Sequence, residues 1–242
     1  MIFNIFKSKP TLKELIKNGF IDIHCHILPC LDDGAKNVNE SINLISKMEE
    51  LGFSKIIATP HTYKGIYDNT TDDIKKSYES VRNNIDSSLQ LEYASEYMID
   101  DSLFKKIENR DLLTLVKNYV LIEMSYLDAP KGLYDIIYKF RLADYIPILA
   151  HPERYRFFYN KFSEYEKLKN MGCLFQINLL STTGYYGKDV LKMCDKLLLK
   201  SMVDFVGSDI HNLNHIKQFD KKVNIKNIRK LETAIKANFL FK

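Results

Sequence analysis

The feature that most constrains the fold of this chain is a regular alternation of short apolar runs with longer amphipathic stretches. Seven runs have the length and the aliphatic or aromatic content of buried strands: 20–24, 55–59, 91–95, 119–124, 146–150, 173–178 and 203–207. Helical spacing lies between them, over 39–51, 72–89, 132–144, 163–171, 188–199 and 224–238. This alternation predicts parallel strands with crossover helices. We expect one α/β domain in residues 20–242, a (β/α)7 barrel, after an N-terminal arm or helix in residues 1–19.

Composition narrows the function classes. Lys plus Arg number 35 and Asp plus Glu 31, a net charge of +4 without a dense basic stripe, so we expect no nucleic-acid partner. No apolar stretch approaches the roughly 18 residues of a membrane span, and residues 1–10 lack the order of a signal peptide. We therefore expect a cytoplasmic protein that does not insert into membranes. The four cysteines form no CxxC pair and are expected to be reduced thiols.

Six of the seven runs end in His, Asp or Glu. These residues are His24, His26, His61, Glu96, Glu123, His151, Asp209 and His211. In α/β barrels the active site is built from the carboxyl ends of the strands and the loops that follow them. Side chains two positions apart on an extended segment point the same way, so His24 and His26 can share one metal ion and Asp209 and His211 can do the same.

A single histidine at a strand end is more often structural than catalytic, but five of the six histidines of this chain follow the pattern. An Asp-Asp-Gly loop at 32–34 adds further carboxylates. Mixed imidazole and carboxylate donors suit divalent transition metals such as manganese, iron or zinc. The donors exceed what one tetrahedral ion needs, so the sequence predicts two or three ions per chain.

These motifs, in this order, resemble the PHP (polymerase and histidinol phosphatase) superfamily over nearly the whole chain. More narrowly, the chain is similar to the bacterial manganese-dependent protein-tyrosine phosphatases of capsule and exopolysaccharide operons, the CpsB/YwqE type. The motifs that carry the resemblance are Asp-Ile-His-Cys-His at 22–26, Asp-Asp-Gly at 32–34, Thr-Pro-His at 59–61, Ser-Glu at 95–96, Ile-Glu at 122–123, His-Pro-Glu-Arg-Tyr at 151–155 and Ser-Asp-Ile-His at 208–211.

The resemblance implies a distorted (β/α)7 barrel of the PHP type with a trinuclear site, manganese being the first choice of metal. His24, His26, Glu96 and Asp209 would serve one ion; Glu96, Glu123 and His151 a second, with Glu96 bridging; and Asp33, His61 and His211 a third. It also implies that Arg154 binds phosphate. Some relatives carry a second arginine after the Asp-x-His motif, where this chain offers only His215 or Lys217.

The resemblance implies a phosphomonoester hydrolase, most simply a protein-tyrosine phosphatase that acts on a bacterial tyrosine kinase of polysaccharide export. Metal-activated hydroxide would be the nucleophile, with no covalent enzyme intermediate. Arg154 would contact the phosphoryl oxygens, and the candidate proton donors are Asp209 and His211. A cysteine-dependent mechanism needs Cys-x5-Arg, and none of the four cysteines has Arg at that spacing.

Three alternatives stay open from the sequence. A small-molecule phosphatase of the histidinol-phosphate type would share the metal chemistry. A non-catalytic metal-binding scaffold would keep the fold without turnover, although a complete ligand set with Arg154 argues against it. A nuclease role is disfavoured by the weak net charge. The amphipathic helix at 39–51 leaves room for a homo-oligomer.

Overall fold

The computed structural model describes residues 8–16 and 19–242, and in that part of the chain nine strands form two sheets. The strands are β1 Phe20–Asp22, β2 Phe53–Ala58, β3 His61–Thr62, β4 Gln90–Tyr93, β5 Glu96–Met98, β6 Tyr119–Glu123, β7 Ile146–Ala150, β8 Leu174–Asn178 and β9 Phe205–Gly207. One sheet has the order β1-β2-β4 and the other the order β3-β5-β6-β7-β8-β9. Every ladder within them is parallel. The predicted α/β domain with parallel strands is therefore confirmed.

Two of the seven predicted strands, 55–59 and 91–95, correspond to β2 and β4, and each is followed beyond its predicted end by a second short segment, β3 or β5. Thr59 and Pro60 separate β2 from β3, and Ala94 and Ser95 separate β4 from β5. Proline has no amide hydrogen for a ladder, and here the carbonyl oxygen of Pro60 accepts from the amide of Glu96 at 3.1 Å. The same pair of strands stays adjacent on both sides of the break. The nine segments thus occupy seven neighbouring strand positions.

Nine α-helices lie within the described ranges. They are α1 Leu12–Ile16, α2 Val38–Leu51, α3 Thr71–Arg82, α4 Asp101–Glu108, α5 Leu133–Leu142, α6 Ser163–Asn170, α7 Lys188–Leu199, α8 Leu213–Lys217 and α9 Ile228–Ala237. All six predicted helices are present, and α4 and α8 are additional. None of these helices is both long enough and apolar enough to cross a membrane.

Local signals explain where the helices begin and end. Gly52 closes α2 in the left-handed conformation, with φ of 101°, as the sequence predicts. Thr70 and Asp73 form a capping box at the start of α3. That helix ends at Arg82 rather than at residue 89, and beyond it Ser87 and Ser88 donate hydrogen bonds to the carboxylate of Glu49.

The predicted N-terminal arm can be followed only in part, since residues 1–7 and 17–18 lie outside the described residues. Within it, α1 packs Leu12 and Ile16 into the core. The amide of Leu12 donates to the carbonyl oxygen of Lys221 at 3.1 Å. The described part of this arm is therefore held to the C-terminal third of the chain.

The strands pack one apolar cluster against the C-terminal 3₁₀ turn. This cluster contains Ile21, Ile23, Ile57, Ala94, Leu115, Leu121, Ile148, Ala150, Phe205 and Phe241. Two further clusters lie between the sheets and the helices. Apolar burial of this extent fixes the strand register, and it leaves the polar residues at the carboxyl ends of the strands close to one another.

Candidate metal centre

The segments that follow β1 and β9 run side by side and bring three predicted ligands together. The amide of Asp209 donates to the carbonyl oxygen of His24 at 2.8 Å, and the amide of His26 donates to that of Ile210 at 2.9 Å. Cys25, between the two histidines, is buried in the apolar core, as strand alternation predicts. Backbone pairing therefore sets the separation of His24, His26 and Asp209.

The first predicted ligand group converges on one point. The Nε2 atom of His24 lies 3.2 Å from that of His26 and 3.1 Å from Oε2 of Glu96. The Oδ1 atom of Asp209 lies 3.4 Å from both imidazole nitrogens. Two imidazole nitrogens and two carboxylate oxygens thus face one another inside a fully buried region.

Glu96 connects this group to a second one. Its Oε1 atom lies 3.1 Å from Nε2 of His151, and its Oε2 atom lies 3.1 Å from Nδ1 of His61. Glu123 approaches His61 more closely than His151, at 2.8 Å against 4.0 Å. The structure therefore places His61 beside Glu96 and Glu123. The grouping that the resemblance implies had placed His151 with these two carboxylates.

The third predicted group lies at the outer edge of the cluster. The Oδ1 atom of Asp33 is 3.3 Å from Nε2 of His211 and 3.6 Å from Nε2 of His61. His61 consequently uses one ring nitrogen toward Asp33 and the other toward Glu96. All nine predicted ligands lie in this one region, and four overlapping sets of them have donor atoms close enough to share an ion.

The donor atoms fit divalent cations. Among the described residues, buried Nδ1 of His61 and Oε2 of Glu96 have no hydrogen-bond partner although they lie 3.1 Å apart. Burial alone would lower the pKa of His26, but Asp32 and hydrogen bonds to Asp209 and Glu96 raise it well above its usual value. The centre therefore favours positive charge. A metal ion between Nδ1 of His61 and Oε2 of Glu96 would accept the lone pairs of both atoms.

Burial also prepares His151 as a ligand. Its side chain is buried, and this lowers its pKa to about 4. An imidazole must be neutral to bind a metal, so desolvation keeps His151 in the form that binding requires at neutral pH.

Neighbouring side chains orient the two central histidines. The Nδ1 atom of His24 lies 2.6 Å from Oε1 of Gln176, and the Nδ1 atom of His26 lies 2.7 Å from Oδ2 of Asp32. Such partners fix the tautomer and the ring orientation of metal-binding histidines. The sequence did not single out Gln176, and it pointed to Asp32 only through the Asp-Asp-Gly loop.

Backbone geometry at two of the ligands is unusual. His151 directly follows β7 and has a φ of 37°. Asp209 lies two residues after the end of β9 and has a φ of 53°. Non-glycine residues rarely adopt this region unless the surroundings impose it, and such positions cluster at functional sites. At Gly207 a Cβ atom would lie 2.6 Å from Cβ of His24, so glycine is needed for β9 to approach the first histidine.

A cavity of about 370 Å³ opens over the cluster. Its lining residues are Asp33, His61, Glu123, Tyr126, His151, Arg154, Tyr185, Tyr186, Asp209, His211, Asn212 and His215. Arg154, in the 3₁₀ turn Pro152–Arg154, donates through Nη1 to Oδ2 of Asp209 at 3.1 Å. His215 lies in the lining, whereas Lys217 is exposed and outside it. The three lining tyrosines were not predicted from the sequence.

Imidazoles and carboxylates gathered at the carboxyl ends of parallel strands, with an arginine at the edge of the cavity, define a metal-dependent enzyme of the α/β class. The family model for capsular polysaccharide synthesis proteins, CpsB/CapC, matches residues 20–235. The chain therefore belongs to the CpsB/CapC family, in agreement with the resemblance found in its motifs.

Relatives in this family carry names that describe an activity. The chain is 31% identical over 199 residues to the putative tyrosine-protein phosphatase CapC of Staphylococcus aureus, covering 81% of this chain and 78% of the relative. It is 33% identical over 197 residues to the tyrosine-protein phosphatase YwqE of Bacillus subtilis (strain 168), covering 80% and 78%.

Solved structures agree. Crystal structures of YwqE from Bacillus subtilis and CpsB from Streptococcus pneumoniae, described as unique metal-dependent tyrosine phosphatases, include a chain that superposes on this one with a TM-score of 0.78. The two chains are 29% identical, and the match covers 91% of this chain and 90% of the other.

Proposed function

We propose that this chain is a metal-dependent protein-tyrosine phosphatase that dephosphorylates a bacterial tyrosine kinase of capsular or exopolysaccharide synthesis. The observation that carries the proposal is the convergence of His24, Glu96 and Asp209 with Arg154 beside one cavity. Membership of the CpsB/CapC family and the names of the relatives favour this activity over the alternatives.

The ligands of the proposed centre are the nine residues that the motifs predicted. We assign two or three divalent ions to them, manganese first and iron or zinc as alternatives. These ligands are His24, His26, Asp33, His61, Glu96, Glu123, His151, Asp209 and His211. Such ions, when bound, act as Lewis acids on phosphoryl oxygens and lower the pKa of water, which is the chemistry that phosphomonoester hydrolysis needs.

Arg154 binds the phosphoryl group in this mechanism. Its planar guanidinium can donate two parallel hydrogen bonds to phosphoryl oxygens. One of its N–H groups is already held by Oδ2 of Asp209, which leaves the remaining donors for the substrate. Arg154 thereby neutralises charge on the phosphate and fixes its orientation.

Of the two candidate proton donors we choose His211, which in that role would leave the third ion to Asp33 and His61. Burial would raise the pKa of Asp209, but His24 and His211 hold it well below its usual value, so that carboxylate does not carry a proton at neutral pH. His211 lines the cavity, and its Nδ1 lies 3.0 Å from the carbonyl oxygen of Asp209. Asp209 then acts by orienting Arg154.

Tyr185, 42% exposed at the same opening, offers an aromatic face to the ring of phosphotyrosine.

The seven strand positions are proposed to close into a distorted (β/α)7 barrel in residues 20–242, preceded by an N-terminal arm or helix in residues 1–19. Two side chains support this closure. The Nδ2 group of Asn238 donates to the carbonyl oxygens of Ile21 in β1 and Val206 in β9 at 2.8 and 2.7 Å. The carboxylate of Asp22 accepts from the amide and the hydroxyl of Ser208 at 2.9 and 2.5 Å.

A phosphotyrosine protein is the proposed partner, and the cytoplasm the proposed location, because tyrosine kinases draw on cytoplasmic ATP. A homo-oligomer stays a prediction, and light scattering of the purified protein would establish the number of subunits.

The test of the proposed activity compares three substrates with added Mn²⁺. We expect turnover of a phosphotyrosine peptide and of p-nitrophenyl phosphate, and slow turnover of histidinol phosphate. A preference for histidinol phosphate would identify a small-molecule phosphatase. Loss of all turnover in protein whose metal content is measured and complete would identify a scaffold, and either outcome would contradict the proposal.

A further inference from the structure

Two aromatic rings contact the guanidinium of Arg154. Its Cζ atom lies 4.5 Å from the ring centroid of Tyr126 and 4.3 Å from that of Tyr186. The two rings come from different parts of the fold: Tyr126 follows β6, and Tyr186 precedes α7. Contacts of this length are favourable cation–π interactions, and two of them on one guanidinium restrict its orientation.

One edge of the same group is also held. Nη1 of Arg154 donates to Oδ2 of Asp209 at 3.1 Å. That oxygen also accepts from Nδ2 of Asn178 at 2.6 Å and from the hydroxyl of Tyr186 at 3.4 Å. Arginine has five N–H donors, all in the plane of the guanidinium. Two rings and one carboxylate therefore hold the guanidinium in one orientation, and the donors that Asp209 does not use remain for a ligand.

We propose that Tyr126 and Tyr186 are positioning residues that clamp Arg154, so that a phosphoryl group is received edge-on by a side chain already in its binding orientation. This inference rests on the phosphate-binding role of Arg154 in the proposed function. A long arginine side chain otherwise loses rotamer freedom when it binds a ligand. The clamp removes that loss before the substrate arrives.

The experiment measures the affinity of inorganic phosphate for the metal-loaded full chain by calorimetry. We expect Tyr126→Leu and Tyr186→Leu each to weaken binding about 3- to 10-fold, the effect of losing one cation–π contact of ordinary strength. Tyr126→Phe and Tyr186→Phe keep the ring and should restore most of the affinity. Tyr138→Leu, at an exposed tyrosine of α5 outside the cavity, is the matched control and should bind as the unmodified chain does.

Each substitution is repeated in an Arg154→Ala background. If the rings act through Arg154, Tyr126→Leu has no further effect on phosphate affinity there. An equal loss in both backgrounds, or a Phe variant as weak as its Leu counterpart, would overturn the clamp. An Arg154→Ala chain with unchanged phosphate affinity would overturn it as well.

Failure of the clamp can be distinguished from misfolding of a variant and from failure of the proposed activity. Tyr126 is 46% exposed, so its replacement disturbs little packing, and this position decides the test if Tyr186→Leu fails to fold. Circular dichroism and metal content are recorded for every variant. Phosphate binding needs no turnover, so failure of the clamp appears in the affinities, whereas failure of the proposed activity appears as missing turnover of the phosphotyrosine peptide by the unmodified chain.

Discussion

At the scale of single residues, Asp209 joins the proposed metal ligands to Arg154, the proposed phosphate-binding residue. Its Oδ1 atom lies 3.4 Å from Nε2 of His24 and of His26, and its Oδ2 atom accepts from Arg154 at 3.1 Å. The carboxylate of Asp209 therefore presents one oxygen to the two histidines and its other oxygen to the guanidinium. This explains how positive groups of two kinds share a small cavity without uncompensated charge.

Replacing Arg154 separates phosphate binding from metal binding. We expect Arg154→Ala to lower kcat/KM on a phosphotyrosine peptide about 10²- to 10³-fold, the usual cost of losing a donor that stabilises developing charge. Its metal content should stay that of the unmodified chain, because Arg154 is not a ligand. Arg156→Ala, at an exposed arginine two residues away, is the control and should keep its activity. Metal loss in Arg154→Ala would contradict the assigned role.

His215, rather than Lys217, is expected to influence the substrate. The Nδ1 atom of His215 lies 3.0 Å from the carbonyl oxygen of Asp209, and its ring lines the cavity. Removing it takes a polar group from beside the phosphate, and we expect His215→Ala to lower kcat/KM about 10-fold, a loss of the size of one charge-assisted hydrogen bond. Lys217→Ala should change it less than twofold. The reverse order in steady-state rates would contradict this assignment.

At the scale of secondary structure, the sequence predicted what periodicity and local caps determine. The helix 188–199 and the strand 146–150 were predicted to the residue. The helix α4 was missed because its eight residues place only Leu103 and Ile107 in the core, too few for a clear helical period. The two-residue strand β3 has no pattern of its own, since it exists through its pairing with β5.

Contacts between residues that are distant in the chain could not be predicted from the sequence. Gln176 acts on His24 across 152 positions, and nothing in its own run of residues indicates that contact. Eight of the nine proposed ligands were singled out because each is a polar residue at the end of an apolar run, and Asp33 was singled out by the Asp-Asp-Gly loop. The aromatic neighbours of Arg154 could not, because tyrosine in a loop is common and carries no such contrast.

Asn238 tests how β1 and β9 are joined. Its side chain bonds to two carbonyl oxygens and accepts from the amide of Val206 at 3.2 Å, all of them buried. Asn238→Ala leaves these groups without partners and should lower the free energy of unfolding by roughly 2–4 kcal/mol. Urea denaturation measures it. The control is Asn84, an exposed asparagine whose side chain bonds only to Ser80 among the described residues. Asn84→Ala should lower the free energy of unfolding by less than about 1 kcal/mol. Equal losses in the two variants would refute the role of Asn238.

At the scale of the whole molecule, ligands from distant parts of the chain meet in one buried cluster. Three carboxylates, Glu96, Glu123 and Asp209, lie within it, and burial together with Glu96 raises the pKa of Glu123. Without cations the negative charge of Glu123 opposes folding, because it is buried beside the carboxylate of Glu96. The fold and the metal centre should therefore be thermodynamically linked.

Metal removal should consequently destabilise the protein as well as inactivate it. We expect chelator-treated protein to lose phosphatase activity and to melt at a lower temperature, and Mn²⁺ at about 100 times its Kd to restore about 2.7 kcal/mol for each site. Differential scanning calorimetry measures the shift. His151→Ala should show a smaller response to Mn²⁺, and a melting temperature indifferent to metal in the unmodified chain would contradict the linkage.

The most direct measurement is a crystal structure of the Mn²⁺-loaded protein with anomalous diffraction recorded at the manganese edge. We predict at least two anomalous peaks, one among His24, His26 and Asp209 and one beside His61 and Glu123, with Glu96 reaching both. Peaks confined to the protein surface, or none at these positions in protein that hydrolyses phosphotyrosine, would contradict it.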